Sequence, residues 1–219
     1  MKKLLTLLIL FFGILFAKEK FYIVLTFDDG PYPEYTEKIL EVLNRHKIKA
    51  AFFVTGIWVK KYPELVKMIY ENGHEIGLHG YRHVDYTRLN KKQIIIDLLK
   101  SKQVVEEIIG ENKIKYFRPP AGKVNEVVKK SCDELGLKIV LWTIYPLDYG
   151  EKKAEKIFQR VKNAKFKKYN ILLLHNGVKN TILVLDNIIN ELKNLGCKFI
   201  TLEKLPKGFL NILVKEKML

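Results

Sequence analysis

The stretch VLTFDDGPYPE, from Val24 to Glu34, joins a β-type apolar run to two adjacent carboxylates, Asp28 and Asp29. A Gly-Pro break follows these two residues at once. Neighbouring carboxylates repel each other, and each is costly to bury unless something binds it. We therefore expect the strand to end at a site where a cation or a cationic side chain holds at least one of the two aspartates.

Beyond residue 20, short apolar β-type runs alternate with longer segments of helical period. The predicted strands are Tyr22–Phe27, Ala50–Val54, Glu75–Leu78, Tyr116–Phe117, Ile139–Trp142, Ile171–Leu174 and Phe199–Thr201. The predicted helices are Thr36–His46, Pro63–Asn72, Lys91–Ile109, Asn125–Leu135, Ala154–Ala164 and Thr181–Leu195. This alternation is typical of a parallel sheet covered by helices, and about seven units indicate an α/β barrel that is open or distorted.

The first 17 residues are interpreted separately from the fold. Lys2 and Lys3 precede an uncharged apolar run, Leu4–Phe16, that is shorter than the roughly 20 residues of a spanning helix. We interpret residues 1–17 as an export signal, with an uncleaved N-terminal anchor as the alternative, and residues 18–219 as one domain. The protein is then expected in the periplasm, the cell envelope or the extracellular space.

The net charge of the 219-residue chain is +15, and two of its lysines lie in residues 1–17, which leaves +13 for the domain. The lysines are spread along the chain, and no aromatic-basic motif of nucleic-acid recognition is present. We therefore expect no nucleic-acid partner. If the chain is exported, an anionic wall or membrane surface is the better neighbour, and a solvated lysine-coated surface without a partner is the alternative. Cys132 and Cys197 are predicted to be buried thiols rather than a disulfide.

Titratable side chains follow the predicted strands, which is where chemistry gathers in parallel α/β folds. His79 and His83 follow the third strand, at a spacing that brings both imidazoles to one side if the segment turns helically. Two histidines and one aspartate, with a coordination position left open, form a catalytic type of metal site. The second aspartate of the pair would then stand beside metal-activated water, where it can take a proton.

Three further strand ends supply Arg118, Asp148 and His175. An arginine beside a catalytic carboxylate keeps it ionised and oriented. A carboxylate beside a histidine favours the protonated imidazole, which is a suitable general acid for a leaving amine. These three residues therefore complete a hypothetical acid–base set around the metal.

The motifs TFDDGP, GHEIGLHGYRH, RPPAG and LLLHN, taken in this order, resemble those of the polysaccharide deacetylase family. This family is also called the NodB-homology domain or carbohydrate esterase family 4, and the resemblance covers residues 20–203. It implies a distorted (β/α)7 barrel, NodB-like in form. It also implies removal of N-acetyl groups from amino sugars with a divalent metal, for which Zn²⁺ is expected and Co²⁺, Ni²⁺ and Fe²⁺ remain alternatives.

The resemblance also implies roles for individual residues. Asp29, His79 and His83 would bind the metal, and the other assignments concern the proton transfers and the acetyl group. Asp28 would be the general base, steadied by Arg118, and His175 would be the general acid, supported by Asp148. Tyr149 and Leu173 would line the acetyl pocket. The backbone N–H near Ala121 would stabilise the oxyanion.

This chain departs from the family pattern at three positions. Ala121 stands where the family usually has Tyr, Tyr149 stands where Trp is frequent, and Asn176 follows the acid where Asp is common. None of these changes removes a metal ligand or an acid–base residue, so we expect an active enzyme. The change at Ala121 is silent if only its backbone N–H works, and it shifts the substrate preference if the family's ring contacts sugar.

The function expected is metal-dependent N-deacetylation of N-acetylglucosamine units in a peptidoglycan-like or chitin-like glycan, by a monomer with possible membrane attachment through its N-terminus. The alternatives are a deacylase of a small or lipid-linked amino sugar and a non-catalytic glycan-binding module. A glycoside hydrolase would need two carboxylates and no metal. A metalloprotease would need a His-Glu-x-x-His segment, which is absent from the sequence.

Overall fold

Seven parallel strands, wrapped by eight helices, make up the fold in a computed structural model that describes residues 21–218. The strands are β1 (Tyr22–Asp29), β2 (Ala51–Val54), β3 (Glu75–Leu78), β4 (Tyr116–Phe117), β5 (Lys138–Ile139), β6 (Tyr169–His175) and β7 (Lys198–Phe199). The helices are α1 (Tyr35–His46), α2 (Gly56–Lys61), α3 (Pro63–Glu71), α4 (Lys91–Ile109), α5 (Glu126–Glu134), α6 (Ala154–Lys162), α7 (Lys179–Asn194) and α8 (Phe209–Met218).

The strands pair in the order β5-β4-β3-β2-β1-β6, and β7 pairs with the beginning of β1. The sheet closes into a distorted barrel because the chain leaves β5 and crosses to β6, where Ile144 bridges to Leu172. The N–H groups of Thr143 and Ile144 donate to Ile171 O, and Ile144 O accepts from Leu173 N–H. The Thr143 hydroxyl also accepts from Ile171 N–H at 3.0 Å.

The two long strands, β1 and β6, run through the middle of the hydrophobic core. Their apolar side chains are almost completely buried, from Ile23 to Phe27 on β1 and from Ile171 to Leu174 on β6. Strands that are buried on both faces are expected to be continuously apolar rather than alternating. This burial fixes the ends of β1 and β6, where Asp29 and His175 lie, relative to the rest of the barrel.

The parallel barrel predicted from the sequence is confirmed, and with one exception the predicted strand and helix ends agree with the structure within two residues. The exception is β5, which ends at Ile139 and not at Trp142. The carbonyl groups of Val140 and Leu141 accept hydrogen bonds from the Arg118 guanidinium, so the chain leaves the ladder there.

Two helices were not predicted. The six residues of α2 are too few to reveal a helical period, whereas α8 does show helical spacing in its buried side chains Leu210, Leu213 and Val214. Cys132 and Cys197 are free, buried thiols, as predicted. Residues 1–17, interpreted as a signal or anchor, lie outside the described residues. Within residues 21–218, no helix combines the length and the apolar character needed to cross a membrane.

The closure between β5 and β6 makes a prediction about stability. Replacing Thr143 with Ala removes the oxygen that accepts from the Ile171 N–H, so a buried donor is left unsatisfied. We expect the free energy of unfolding to fall by about 1–3 kcal/mol, measured by urea denaturation. Thr143→Ser keeps the hydroxyl and is expected to lose less; equal losses in the two variants would assign the effect to the lost methyl group instead.

Candidate active site

A pocket with a volume of 500 Å³ opens at the carboxyl ends of the strands. Eight of the ten predicted site residues line it: Asp28, Asp29, His79, His83, Ala121, Tyr149, Leu173 and His175. The other two, Arg118 and Asp148, are completely buried behind the pocket wall. Each of these two is hydrogen-bonded to a residue of the wall, so the ten positions predicted from the sequence form one connected site.

Asp29, His79 and His83 bring three potential ligand atoms within 4.8 Å of one another. Asp29 Oδ1 lies 3.4 Å from the Nε2 atom of each histidine. This oxygen is buried and accepts no hydrogen bond from the described residues. His79 Nδ1 lies 2.7 Å from Arg118 O, so it carries the proton and leaves the Nε2 lone pair facing Asp29. The group fits a divalent metal bound by two imidazoles and one carboxylate.

The protonation states of this group also suit metal binding, which requires a carboxylate and neutral imidazoles. Burial acts to raise the pKa of Asp29, but the three histidines His79, His175 and His83 outweigh it and hold that pKa below its usual value. Burial and the neighbouring His79 lower the pKa of His83. Asp29 is therefore ionised and His83 neutral near pH 7.

Two left-handed residues in the backbone bring the ligands together. Side chains that follow each other along a strand normally point to opposite sides, which would separate Asp28 from Asp29. Asp29 has φ 80°, and both carboxylates line the same pocket. A helical turn from His79 to His83 would bring both imidazoles to one side. The segment is instead an irregular bend in which His83 has φ 50° and the two imidazole centroids lie 4.9 Å apart.

Asp28 is held from behind by Arg118. The guanidinium Nη1 donates to Asp28 Oδ1 at 2.6 Å and to the Thr26 hydroxyl at 2.8 Å. The other carboxylate oxygen, Oδ2, lies 3.8 Å from His79 Nε2. One oxygen of Asp28 is thus fixed by the ion pair, while the other faces the candidate metal site.

His175, on the strand end next to Asp28, pairs with the completely buried Asp148. Asp148 Oδ1 lies 2.7 Å from His175 Nδ1, and Oδ2 accepts from both the His175 N–H and the Thr181 hydroxyl. Burial acts to lower the pKa of His175, but the hydrogen bond and charge of Asp148, with the charges of Asp28 and Asp29, raise it above its usual value. His175 is therefore biased towards the protonated form.

Aromatic side chains form the outer walls of the pocket. Tyr149 is 68% exposed, and its ring centroid lies 5.4 Å from that of His175. Tyr32, in the loop after β1, packs edge-on against Trp58 of α2, with centroids 4.7 Å apart. Exposed aromatic faces suit the apolar faces of sugar rings. The sequence reasoning missed Tyr32 and Trp58; an aromatic residue directly after the Asp-Asp-Gly-Pro motif was the available signal for Tyr32.

Ala121 lies on the rim of the pocket in a short turn, Pro120–Gly122. Its φ of 55° belongs to the left-handed region, which residues other than glycine seldom adopt. The next residue, Gly122, packs so closely on Trp142 that an added Cβ would lie 2.5 Å from the ring. The position of the Ala121 backbone is therefore set by the turn and does not need a large side chain.

Asp97 on α4 supports the loop that carries the two histidines, and the sequence reasoning missed it. Its Oδ1 accepts from the Tyr81 N–H at 2.8 Å and from the Tyr86 hydroxyl. Gly80, at φ 83°, lies so close to Tyr86 that an added Cβ would be 2.7 Å from the hydroxyl oxygen. One carboxylate inside the apolar run Ile94–Leu99 was the signal that could have revealed it.

Residues 17–140, more than half of the chain, match the sequence pattern of the polysaccharide deacetylase family. A peptidoglycan-N-acetylglucosamine deacetylase of Bacillus cereus is 38% identical over 189 residues, covering 84% of this chain and 87% of that protein. The peptidoglycan-N-acetylmuramic acid deacetylase PdaA of Bacillus subtilis is 35% identical and covers 86% of this chain and 72% of its own length.

A crystal structure of a carbohydrate esterase family 4 pseudoenzyme from Bacillus anthracis also matches, with a TM-score of 0.80 and 30% identity. The match covers 86% of this chain and 68% of that chain. A mutant of that protein with restored enzymatic activity matches with the same TM-score. The fold is therefore shared by active and inactive proteins.

The parallel barrel, the connected pocket residues and these relatives agree. The chain belongs to the polysaccharide deacetylase family, carbohydrate esterase family 4, and is a metal-dependent hydrolase that removes N-acetyl groups from glycans.

Proposed function

We propose that this protein deacetylates N-acetylglucosamine units of peptidoglycan and releases acetate, with Zn²⁺ held by Asp29, His79 and His83. The observation that carries the proposal is the arrangement of one pocket, in which the candidate metal ligands share the lining with two supported residues, Asp28 held by Arg118 and His175 held by Asp148. The names of the Bacillus relatives support peptidoglycan as the substrate, and the His₂Asp donor set is one that zinc commonly takes.

A divalent metal bound at this site supplies Lewis acidity, which polarises the acetyl carbonyl and lowers the pKa of water. Asp28 takes the proton of the attacking water through Oδ2, since Oδ1 is engaged by Arg118. The resulting tetrahedral centre carries negative charge on the former carbonyl oxygen. The backbone N–H near Ala121 is assigned to stabilise this charge.

His175 gives a proton to the departing amine. Its Nδ1 is engaged by Asp148, so Nε2 is the atom left to donate. Asp148 keeps the imidazole oriented and protonated, and the Thr181 hydroxyl fixes Asp148 in turn. The products are acetate and an amino sugar that becomes cationic at neutral pH. Balanced in this way, the proton transfers need only water, Asp28 and His175.

Leu173 and Tyr149 are assigned to the acetyl subsite. Leu173 is almost completely buried and offers an apolar contact for a methyl group, whereas Tyr149 is open to solvent and can lie along the sugar. A Tyr at this position adds a polar hydroxyl to the aromatic wall. We assign glycan preference to this wall together with Ala121, whose small side chain leaves the rim open.

The cellular setting follows from the substrate. Peptidoglycan lies outside the cytoplasmic membrane, so residues 1–17 are assigned as the export signal or anchor and residues 18–219 as the catalytic domain, acting as a monomer. The chief alternatives are a deacylase of a small or lipid-linked amino sugar and a glycan-binding module without activity. The likeness to a pseudoenzyme makes the second of these worth a direct test.

The first prediction from the proposed mechanism concerns the general base. Asp28→Asn keeps the volume of the side chain but cannot take a proton, so acetate release from peptidoglycan should fall by about 10²- to 10⁴-fold. Zn²⁺ affinity should persist, because Asp28 is not an assigned ligand. Acetate would be quantified with the purified full-length protein, with added Zn²⁺ and with a chelator.

Asp133→Asn, an exposed position on α5, is the matched control and should keep full activity. Acetate release that survives either the chelator or Asp28→Asn would contradict the assigned mechanism. Glycan binding without any acetate release by the unaltered protein would favour the binding module.

The second prediction concerns pH. Asp148 raises the pKa of His175, so the acid stays protonated to higher pH and activity is lost only as the pH rises through that raised pKa. Asp148→Asn removes the carboxylate, so the alkaline limb of the kcat/KM profile should move to lower pH, with activity at pH 7 reduced about tenfold or more. Thr181→Val leaves the carboxylate in place and should move the limb less; an unmoved limb in Asp148→Asn would refute the assignment of His175 as the acid.

The third prediction concerns Asp97, which supports the loop of His79 and His83 without touching the metal site. Asp97→Ala leaves the Tyr81 N–H and the Tyr86 hydroxyl without their acceptor, so Zn²⁺ affinity should fall by about 10- to 100-fold. Calorimetric titration of the metal-free protein measures this directly. Lys92→Ala, exposed on the same helix, should bind Zn²⁺ like the unaltered protein. Equal dissociation constants for all three proteins would show that Asp97 has no such role.

A further inference from the structure

The two ends of the barrel differ in charge. Because all strands are parallel, the loops that lead into them lie at one end and the loops that follow them lie at the other. The loops after β1 to β6, with the last residue of each strand, hold six basic and five acidic residues, and they surround the catalytic pocket. The charge at this end is therefore nearly balanced.

The opposite end, called here the lysine face, consists of segments 47–51, 72–75, 110–116, 135–138, 163–169 and 195–198, each running from a helix end to the first residue of a strand. These segments hold nine lysines, all exposed, and only two acidic residues. One of the two, Glu75, is engaged because its carboxylate accepts from the N–H groups of Leu202 and Glu203. Two of the lysines are paired, Lys115 with Glu203 at 4.0 Å and Lys167 with Glu216 at 3.9 Å. The face segments still carry a clear positive excess, in contrast to the nearly balanced end around the pocket.

A cleft with a volume of 1120 Å³ opens beside the lysine face, between α5 and α8. Its apolar surface includes Tyr116, Ile139 and Leu210. Two lysines of the face also line it: Lys115, just before β4, and Lys138, the first residue of β5. Three acidic side chains, Glu126, Asp133 and Glu203, also line the cleft. The apolar interior of the cleft suits an acyl chain, whereas a purely polar polyanion would leave it unfilled.

The chain also enters the barrel through this face. The Tyr22 N–H donates to Lys168 O, and the Lys198 N–H donates to Phe21 O, so the start of β1 is bonded between two lysines of the face. In the sequence, the apolar run Leu4–Phe16 ends only five residues before Phe21. Any attachment of the chain to a membrane through that run would bring the lysine face to the bilayer surface.

We propose that the lysine face docks on a membrane surface rich in anionic phospholipid. Lysines near such a surface each contribute attraction, and an apolar cleft beside them accommodates the hydrocarbon region of the lipid. In this orientation the catalytic pocket, at the other end of the barrel, faces away from the bilayer and towards the wall glycan. The face therefore presents the active site to a polymeric substrate that lies outside the membrane.

The test compares vesicles of phosphatidylcholine alone with vesicles of phosphatidylcholine and phosphatidylglycerol in equal parts, by co-sedimentation at low salt. The test uses residues 18–219, so that binding does not come from the apolar run. These residues include all seven strands and the barrel closure, which lie within residues 21–218. Circular dichroism verifies that this shorter chain is folded. We expect binding to the anionic vesicles only, and its loss as salt is raised.

Two variants with the same change in net charge locate the binding surface, each replacing four exposed lysines that form no ion pair within the described residues. The face variant carries Lys138→Gln, Lys165→Gln, Lys168→Gln and Lys198→Gln, and the control variant carries Lys60→Gln, Lys92→Gln, Lys152→Gln and Lys153→Gln. The face variant should bind about 100-fold more weakly or worse. The control variant should bind nearly as well as the unaltered protein.

Acetate release from a soluble chitin oligomer should be the same in both variants, because neither set of lysines lines the pocket. Equal loss of vesicle binding in the two variants would overturn the proposal by assigning attraction to overall charge. Absence of binding to anionic vesicles at low salt would also overturn it. Tighter binding of purified wall teichoic acid than of vesicles, abolished in the face variant, would assign the surface to a wall polymer instead.

Discussion

The buried ion pair between Arg118 and Asp28 is the interaction on which the rest of the site depends. The guanidinium has no exposed surface, bonds Asp28 and Thr26 on β1, bonds Val140 O beyond β5, and lies 4.2 Å from the centre of the Phe53 ring on β2. It thereby joins four strands across the barrel interior. Removal of one partner of such a pair leaves an uncompensated buried charge, at a cost of about 3–5 kcal/mol. The same contact fixes the barrel and aims the carboxylate.

Much of this architecture could be inferred from the sequence because the determining patterns are local. An apolar run followed by a polar residue marks the end of a strand, and parallel strands bring their ends together whatever the details of packing. Asp29, His79, Arg118 and His175 each follow such a run, so their convergence was predictable without knowledge of any distance. The order of the motifs then added the family resemblance and its implied roles.

The remainder could not be inferred because it depends on backbone angles and on contacts between distant segments. The sequence of two adjacent aspartates does not predict that Asp29 adopts a left-handed conformation, or that its carboxylate lines the same pocket as that of Asp28. The support of the histidine loop by Asp97 joins residues on different elements, and α2 is too short for its period to be recognised. These features arise from tertiary packing, which overrides local preference.

The closure of the barrel beside β6 has a consequence for motion and for divergence among related sequences. The junction is held by the Thr143 hydroxyl and a few backbone bonds rather than by a full ladder, so we expect it to open locally at a lower free energy than global unfolding. Amide hydrogens at Ile144 and Leu173 would then exchange faster than those in the middle of β1. We expect related sequences to differ most in segment 140–150, whose Trp142, Tyr145 and Tyr149 line the pocket, because few bonds hold its middle to β6.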